Sequence, residues 1–93
     1  MKVRYNRGAV ADLDEILGYI SERIPAAAAA QLLKFEAAAR LISRNPEIGK
    51  PTMRHNLRRI VLGNYLLVYE IGATEITIQY VRHGARRRPW EDE

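Results

Sequence analysis

Leu57–Arg86, LRRIVLGNYLLVYEIGATEITIQYVRHGAR, is the stretch that decides the fold. Three apolar runs are separated here by two turn signals, Gly63-Asn64 and Gly72-Ala73-Thr74. The Gly63-Asn64 pair predicts a two-residue hairpin, because both residues tolerate the positive φ that primed turns require. Within each run the side chains alternate with a period of two, which is typical of strands. We therefore predict an antiparallel meander with strands at 57–62, 65–71 and 75–82.

The alternation also predicts which side chains face the core. The middle strand divides into two sets, Tyr65, Leu67, Tyr69 and Ile71 against Leu66, Val68 and Glu70. The last strand divides into Ile76, Ile78 and Tyr80 against Thr77, Gln79 and Val81. On this pattern Tyr65, Tyr69 and Tyr80 are expected to pack in the core or at its rim, with base stacking or acid–base chemistry as the second interpretation.

Two helices are predicted upstream of the meander. After a short strand at 2–5, near a sheet edge, Asn6 is a plausible helix cap. An apolar stripe of Val10, Leu13, Leu17, Ile20 and Ile24, with Ile16 beside it, predicts a helix over about 9–22. Pro25 suits the first turn of a second helix, whose stripe is Leu32, Phe35, Ala39 and Ile42. Asn45 before Pro46 predicts a left-handed cap at the C-terminal end of this second helix.

These elements predict an α+β fold in a single domain, residues 1–93. A short N-terminal strand precedes an antiparallel helix hairpin, and the meander packs on the helices. The hairpin follows from the short connection around Pro25, and the apolar stripes of the helices need the sheet as a cover. Residues 47–56 are expected to form a connecting loop.

Composition excludes several classes of function. The sequence has no cysteine and two histidines, so neither a disulfide framework nor a metal site is expected. No glycine-rich phosphate loop or nucleophile elbow occurs, and we expect no cofactor. No apolar run approaches the ~20 residues of a membrane span, so the expected location is the cytoplasm, without membrane binding.

Positive charge is concentrated toward one end of the sequence. Seven arginines lie between Arg54 and Arg88, against only Glu70 and Glu75 in the same stretch. Arginines on neighbouring strands can clamp phosphates or pair with carboxylates of a partner. We therefore expect an anionic partner to bind there. The candidate binding residues are Arg58, Arg59, Arg82, Arg86, Arg87, Arg88 and Trp90.

Few residues are candidates for proton transfer. His83 is the one nearby group that exchanges protons near neutral pH, although a histidine bonded to backbone at a strand end is the simpler interpretation. Asp12, Asp14 and Glu15 lie opposite the apolar stripe and are expected to form a solvated face. Trp90, in a polar segment, either packs back on the fold or anchors a partner.

The order and spacing of several short motifs resemble the RelE/ParE superfamily of toxins from bacterial type II toxin–antitoxin systems, and its ParE branch most closely. The matching segments are Ala11–Ile16 with Tyr19-Ile20, Asn45–Pro51, Leu57–Arg59, Gly63–Tyr69 and Val81–Arg86. The resemblance implies a toxin that a small antitoxin wraps and neutralises. ParE-like members are associated with inhibition of DNA gyrase, and RelE-like members with cleavage of mRNA on the ribosome.

Departures from the RelE-like pattern favour the ParE-like function. Nucleases of this superfamily carry an arginine directly after the tyrosine that opens the middle strand, where this sequence has Leu66. They also carry a catalytic tyrosine in the region where it has Pro89 to Asp92. Arg86 matches the family arginine, and Arg59 could replace an upstream basic group. We therefore expect a toxin that acts by binding DNA gyrase rather than as an enzyme.

The alternative is a metal-independent, ribosome-dependent mRNA endoribonuclease with a rearranged site. Its candidate catalytic residues are Arg59, His83 and Arg86. Such cleavage needs a base, an acid and cations for the phosphorane charge, and the sequence supplies cations without an obvious acid–base pair. A small basic nucleic-acid-binding domain without toxicity is the third hypothesis.

Overall fold

A computed structural model of the protein describes residues 1–54 and 56–84. In these residues the chain forms β1 (Lys2–Tyr5), α1 (Arg7–Arg23), α2 (Pro25–Arg44), a 3-10 helix (Pro46–Ile48), β2 (Lys50–Pro51), β3 (Leu57–Leu62), β4 (Tyr65–Ile71) and β5 (Glu75–His83). The predicted α+β class is confirmed, as are the helix hairpin and the meander. The predicted loop contains one further, two-residue strand.

The strands form one sheet in the order β1-β5-β4-β3-β2. β1 pairs parallel with β5 at the predicted edge, and the other neighbours are antiparallel. The hairpin turn between β3 and β4 is confirmed, but only its first residue is left-handed: Gly63 has φ 63°, and Asn64 is not among the residues with positive φ. The turn thus depends on glycine at one position instead of two.

Each helix begins and ends for a local reason. The Asn6 side chain accepts a hydrogen bond from the Ala9 N–H at 2.8 Å, which confirms the predicted N-cap of α1. Ile24 alone joins the two helices, and Pro25 begins α2. The left-handed cap predicted at Asn45 is wrong: its φ is −143°. Pro46 keeps the preceding residue out of the helical conformation, because the proline ring clashes with a helical neighbour.

The buried faces of the helices differ from the predicted stripes. Val10 and Ile24 are 46% and 60% exposed, and the core face of α1 is formed by Ala9, Leu13, Ile16 and Leu17. On α2, Phe35, Ala38 and Ile42 are buried, while Leu32 is 41% exposed. The core lies between this helix layer and the inner sheet residues Leu67, Tyr69, Ile76, Ile78 and Val81.

A β-bulge in β5 changes which of its side chains face the core. Val68 pairs with Tyr80 and Tyr69 pairs with Ile78, so Gln79 is an extra residue between them. An extra residue interrupts the alternation. Val81 is therefore 2% exposed in the core, where Tyr80 was predicted. The predicted face of Tyr80 is wrong because the period of two was counted through the bulge.

The Tyr69 hydroxyl ties the sheet to the chain that leaves α2. It donates to the Pro46 carbonyl at 2.6 Å and accepts from the Gly49 N–H at 2.9 Å. Burial raises the pKa of this phenol above its ordinary value of 10.0, so the hydroxyl keeps the proton that it donates. A Cβ on Gly49 would lie 2.6 Å from the Tyr69 oxygen and 3.0 Å from the Arg59 carbonyl oxygen. This contact fixes where β2 begins.

No helix in the described part of the chain is long and apolar enough to cross a membrane.

Gly49 and Gly18 give a matched pair of substitutions. Gly49→Ala should lower the free energy of unfolding by about 2 kcal/mol, because the new methyl group overpacks a buried site. Gly18→Ala should raise it by about 0.8 kcal/mol, because alanine favours the helix and a Cβ there meets nothing within 4 Å. Denaturant unfolding followed by circular dichroism measures both. Equal stability of the two variants would contradict the tight contact at Gly49.

Candidate functional site on the open face of the sheet

The sheet has one face that no described helix covers. Leu67 and Tyr69 of β4 belong to the core beneath the helices, so Leu66 and Val68 point to the other side. Residues directly opposite one another on neighbouring strands share a face. The register of the sheet therefore identifies the residues of this second surface, which we call the open face.

One row of four directly opposed residues crosses the open face. It consists of Lys50 on β2, Arg59 on β3, Val68 on β4 and Tyr80 on β5. Two cations are thus adjacent at one end of the row and a phenol stands at the other, with a 2% exposed valine between them. Like charges placed opposite each other repel, so this pair favours an anion beside it. We call these four residues the open-face row.

A second row lies nearer the β3–β4 turn and is mostly apolar. Val61, Leu66 and Arg82 are directly opposed on β3, β4 and β5. The Val61 side chain is 70% exposed. The two rows together form a surface with apolar side chains at its centre and the cations Lys50 and Arg59 on one side, which is suited to an acidic partner with an apolar anchor.

Hydrogen-bonded polar residues border the open-face row on the side away from the β3–β4 turn. The Asn6 amide donates to Gln79 Oε1 at 3.1 Å, and the Gln79 amide donates to Glu70 Oε1 at 3.1 Å. Glu75 pairs with Arg4 at 3.2 Å. Both described carboxylates of this region therefore have partners within the fold.

Asp12 and Arg82 form a partly buried ion pair at the edge of β5. Asp12 Oδ2 accepts from Arg82 Nη1 at 2.7 Å and from the Val81 N–H at 2.9 Å. The Arg82 guanidinium also lies 4.6 Å from the centre of the Tyr80 ring. The prediction of a solvated face is wrong for Asp12, which accepts the backbone N–H of β5 at Val81, past the end of β1. Asp14 and Glu15 are exposed as expected.

Arg58 lies on the helix side of the sheet, opposite Tyr69. Its Nη1 donates to the Glu47 carbonyl at 3.1 Å and to the Gly49 carbonyl at 2.7 Å. These bonds hold the same turn that the Tyr69 hydroxyl holds. Adjacent arginines of β3 thus face opposite sides of the sheet, and Arg59 is the one on the open face.

His83 also lies away from the open face. Its ring contacts Tyr65 edge to face, with centroids 5.2 Å apart, and Tyr65 contacts Phe35 of α2 in the same way at 5.7 Å. The structure therefore does not bring His83 and Arg59, two of the candidate catalytic residues, onto one surface. The third, Arg86, lies outside the described residues, as do Arg87, Arg88 and Trp90.

Sequence reasoning missed two members of the open-face row. Lys50 fell in a predicted loop, and only the pairing of β2 with β3 places it opposite Arg59. Tyr80 was expected on the core side of the sheet, because the bulge at Gln79 leaves no clear signal in the sequence. Within residues 1–54 and 56–84, no cluster of three or more histidine, cysteine or carboxylate side chains could hold a metal ion.

Comparison with known proteins identifies the class of this fold and surface. The architecture matches the ParDE system of P. aeruginosa with a TM-score of 0.77 at 22% identity, covering 89% of this chain and 95% of that one. It also matches the RelBE2 toxin–antitoxin complex of Mycobacterium tuberculosis with a TM-score of 0.61 at 30% identity, covering 88% of each chain. A third match is the archaeal RelE–RelB complex of Pyrococcus horikoshii, with a TM-score of 0.63 at 18% identity and coverage of 92% and 97%. The class is thus the toxin of a type II toxin–antitoxin system in the RelE/ParE superfamily.

Within that class, residues 3–88 match the model of the ParE toxin of type II toxin–antitoxin systems, and the chain belongs to this family. Among curated proteins, none matches the sequence significantly. The resemblance inferred from the sequence motifs is confirmed.

The two arginines of β3 separate stability from function. Arg58→Ala should lower the free energy of unfolding by about 2 kcal/mol, because it removes charge-assisted hydrogen bonds to two carbonyls. Arg59→Ala should leave the protein folded but reduce growth arrest. Thermal unfolding and growth after induction measure the two effects. Normal toxicity of Arg59→Ala, with Arg58→Ala still destabilised, would remove Arg59 from the functional surface.

Proposed function

We propose that this toxin arrests growth by binding DNA gyrase, without catalysing a reaction itself. The surface that would bind is the open face together with the basic residues that follow β5. Support comes from the match to the ParE family over most of the chain. The observation that carries the proposal is the make-up of the open face, in which the cations Lys50 and Arg59 lie beside apolar side chains.

The described residues of the open face do not supply a matched acid and base. Glu70 and Glu75 are engaged with Gln79 and Arg4, and His83 lies on the helix side. Leu66 occupies the position at which the resemblance leads one to expect an arginine in a ribosome-dependent nuclease. A leucine offers neither charge nor hydrogen bond to a scissile phosphate. Loss of one such preorganised contact typically costs ~10²–10³ in rate.

One observation favours the alternative, a ribosome-dependent mRNA endoribonuclease. Tyr80 places a phenol on the open face in the same row as Arg59. A phenol can transfer a proton, and the cations Arg59 and Arg86 could stabilise a phosphorane. Tyr80 therefore takes the place that His83 held among the sequence-based candidates.

The two functions give different results in one experiment. The toxin is induced without antitoxin, and plasmid supercoiling and mRNA integrity are followed in parallel. We expect loss of negative supercoiling, intact mRNA in a translating extract, and weaker arrest with Arg59→Ala or Arg86→Ala. Lys34→Ala, an exposed cation on α2, is the control and should remain fully toxic. Specific cuts in ribosome-bound mRNA that disappear with Tyr80→Phe would establish the nuclease instead.

The partner that neutralises the toxin is an antitoxin, as in the toxin–antitoxin complexes that match this fold. We propose that an acidic, amphipathic segment of it covers the helix hairpin and the basic side of the sheet. Exposed apolar side chains on the hairpin, such as Tyr19 at 58% and Leu33 at 63%, and the cations of the open-face row support this footprint. The antitoxin would act in the cytoplasm, as would DNA gyrase or the ribosome as the target of the toxin.

Hydrogen exchange tests this footprint. Complex formation with the product of the neighbouring gene should slow amide exchange in α1, α2 and β3. The β1 strand, outside the proposed footprint, is the internal reference. Protection confined to β1 and β5 would place the antitoxin elsewhere.

A further inference from the structure

The edge of β5 beyond β1 is closed by two side chains instead of a strand. β1 ends at Tyr5, which pairs with Ile78, so no described strand lies beside Val81. Asp12 Oδ2 accepts from the Val81 N–H at 2.9 Å, and Arg82 Nη1 lies 3.4 Å from the Val81 carbonyl oxygen. The two side chains together engage both backbone groups that a neighbouring strand would bind.

The bond between these two side chains crosses the edge of the sheet. Arg82 is directly opposed to Leu66, so its side chain begins on the open face. Asp12 belongs to α1 on the helix side. Arg82 Nη1 nevertheless donates to Asp12 Oδ2 at 2.7 Å. An arginine side chain has many rotamers, and this charge-assisted bond selects those that reach around β5.

Arg82 in turn contacts Tyr80 of the open-face row. Its guanidinium carbon lies 4.6 Å from the centre of the Tyr80 ring, within the range of a cation–π interaction. We call Asp12, Arg82 and Tyr80 the edge stack. The Arg82 side chain is 35% exposed and the Asp12 side chain 23%. The cation is therefore partly at the surface, while the carboxylate that holds it is more covered.

We propose that Asp12 is a positioning residue for recognition at the open face, where it holds the Arg82 guanidinium over the Tyr80 ring for a carboxylate of the target protein. The five N–H groups of a guanidinium allow one arginine to bind two carboxylates. Arginine and tyrosine are the residue types that contribute most at protein interfaces, and side chains ordered before binding lose less entropy. Asp12 itself does not contact the target.

This inference rests on the proposed function in one respect, that the target binds at the open face. It does not require the target to be DNA gyrase.

A double-mutant cycle between Asp12 and Arg82 tests the positioning role. Asp12→Asn keeps an oxygen for the Val81 N–H but removes the charge that holds Arg82. The toxin dose for half-maximal growth arrest, measured without antitoxin, should rise about tenfold, as for one lost charge-assisted hydrogen bond. Arg82→Ala should raise it at least as much. The double variant should be no weaker than Arg82→Ala, because Asp12 acts through Arg82. Asp12→Glu should retain most of the arrest.

Nitrogen-15 NMR of the arginine side chains in the purified full-length toxin measures the positioning directly. Arg82 should give separate Nη signals, because its bond to Asp12 slows rotation of the guanidinium. These signals should merge in Asp12→Asn. Asp14→Asn, at an exposed carboxylate of the same helix, is the matched control and should change neither the signals nor the arrest. Circular dichroism checks that each variant is folded.

Three results would overturn the proposal. Full arrest by Arg82→Ala would leave Asp12 no binding residue to position. A further loss of arrest when Asp12→Asn is added to Arg82→Ala would show that Asp12 serves only the strand edge. Separate Arg82 Nη signals in Asp12→Asn would show that another contact holds the guanidinium. Normal supercoiling in cells that the wild-type toxin arrests would instead exclude gyrase as the target, and the cycle would still decide the role of Asp12.

Discussion

The buried hydroxyl of Tyr69 is the contact on which the arrangement of the functional surface depends. It donates to the Pro46 carbonyl and accepts from the Gly49 N–H, so it satisfies two backbone groups of a turn that has little regular structure of its own. Arg58 binds two further carbonyls of the same turn. This turn leads directly into β2. Because Lys50 follows Gly49, the pairing of Lys50 with Arg59 depends on a hydrogen bond made inside the core.

The bulge in β5 has a comparable effect at the other end of the row. With Gln79 as an extra residue, Tyr80 faces outward and Val81 enters the core. Gln79 is also hydrogen-bonded, between Asn6 at the start of α1 and Glu70 on β4. The cap of the first helix, the bulge and the polar border of the open face are therefore one connected network, and a network of this kind is costly to break in part.

The basic residues of the sheet are divided between its two faces and its edge. Arg58 and His83 are engaged on the helix side, with loop carbonyls and with an aromatic pair. Arg82 bridges the strand edge to α1 through Asp12. Arg59 and Lys50 share the open face. A high density of arginine in the sequence thus overstates the charge that the described part of the surface offers to a partner.

The sequence by itself determined the elements and their order. Period-two alternation, the Gly63-Asn64 turn, the Asn6 cap and Pro25 are local signals, and each depends on residues close in the chain. Those signals were sufficient for the meander and the helix hairpin, and the order and spacing of the short motifs carried the resemblance to the family. Arg59 was among the binding residues that the sequence predicted, and that role stays a prediction.

Tertiary structure decided which side chains share a surface. Strand pairing made Lys50 a neighbour of Arg59, the bulge exchanged Tyr80 for Val81, and the edge of β5 engaged Asp12. None of these leaves a signal within a few residues of the chain, because each depends on contact between segments distant in sequence. At Asn45 two local signals conflict. Asparagine at a helix end favours a left-handed cap, but the following Pro46 restricts the backbone more strongly.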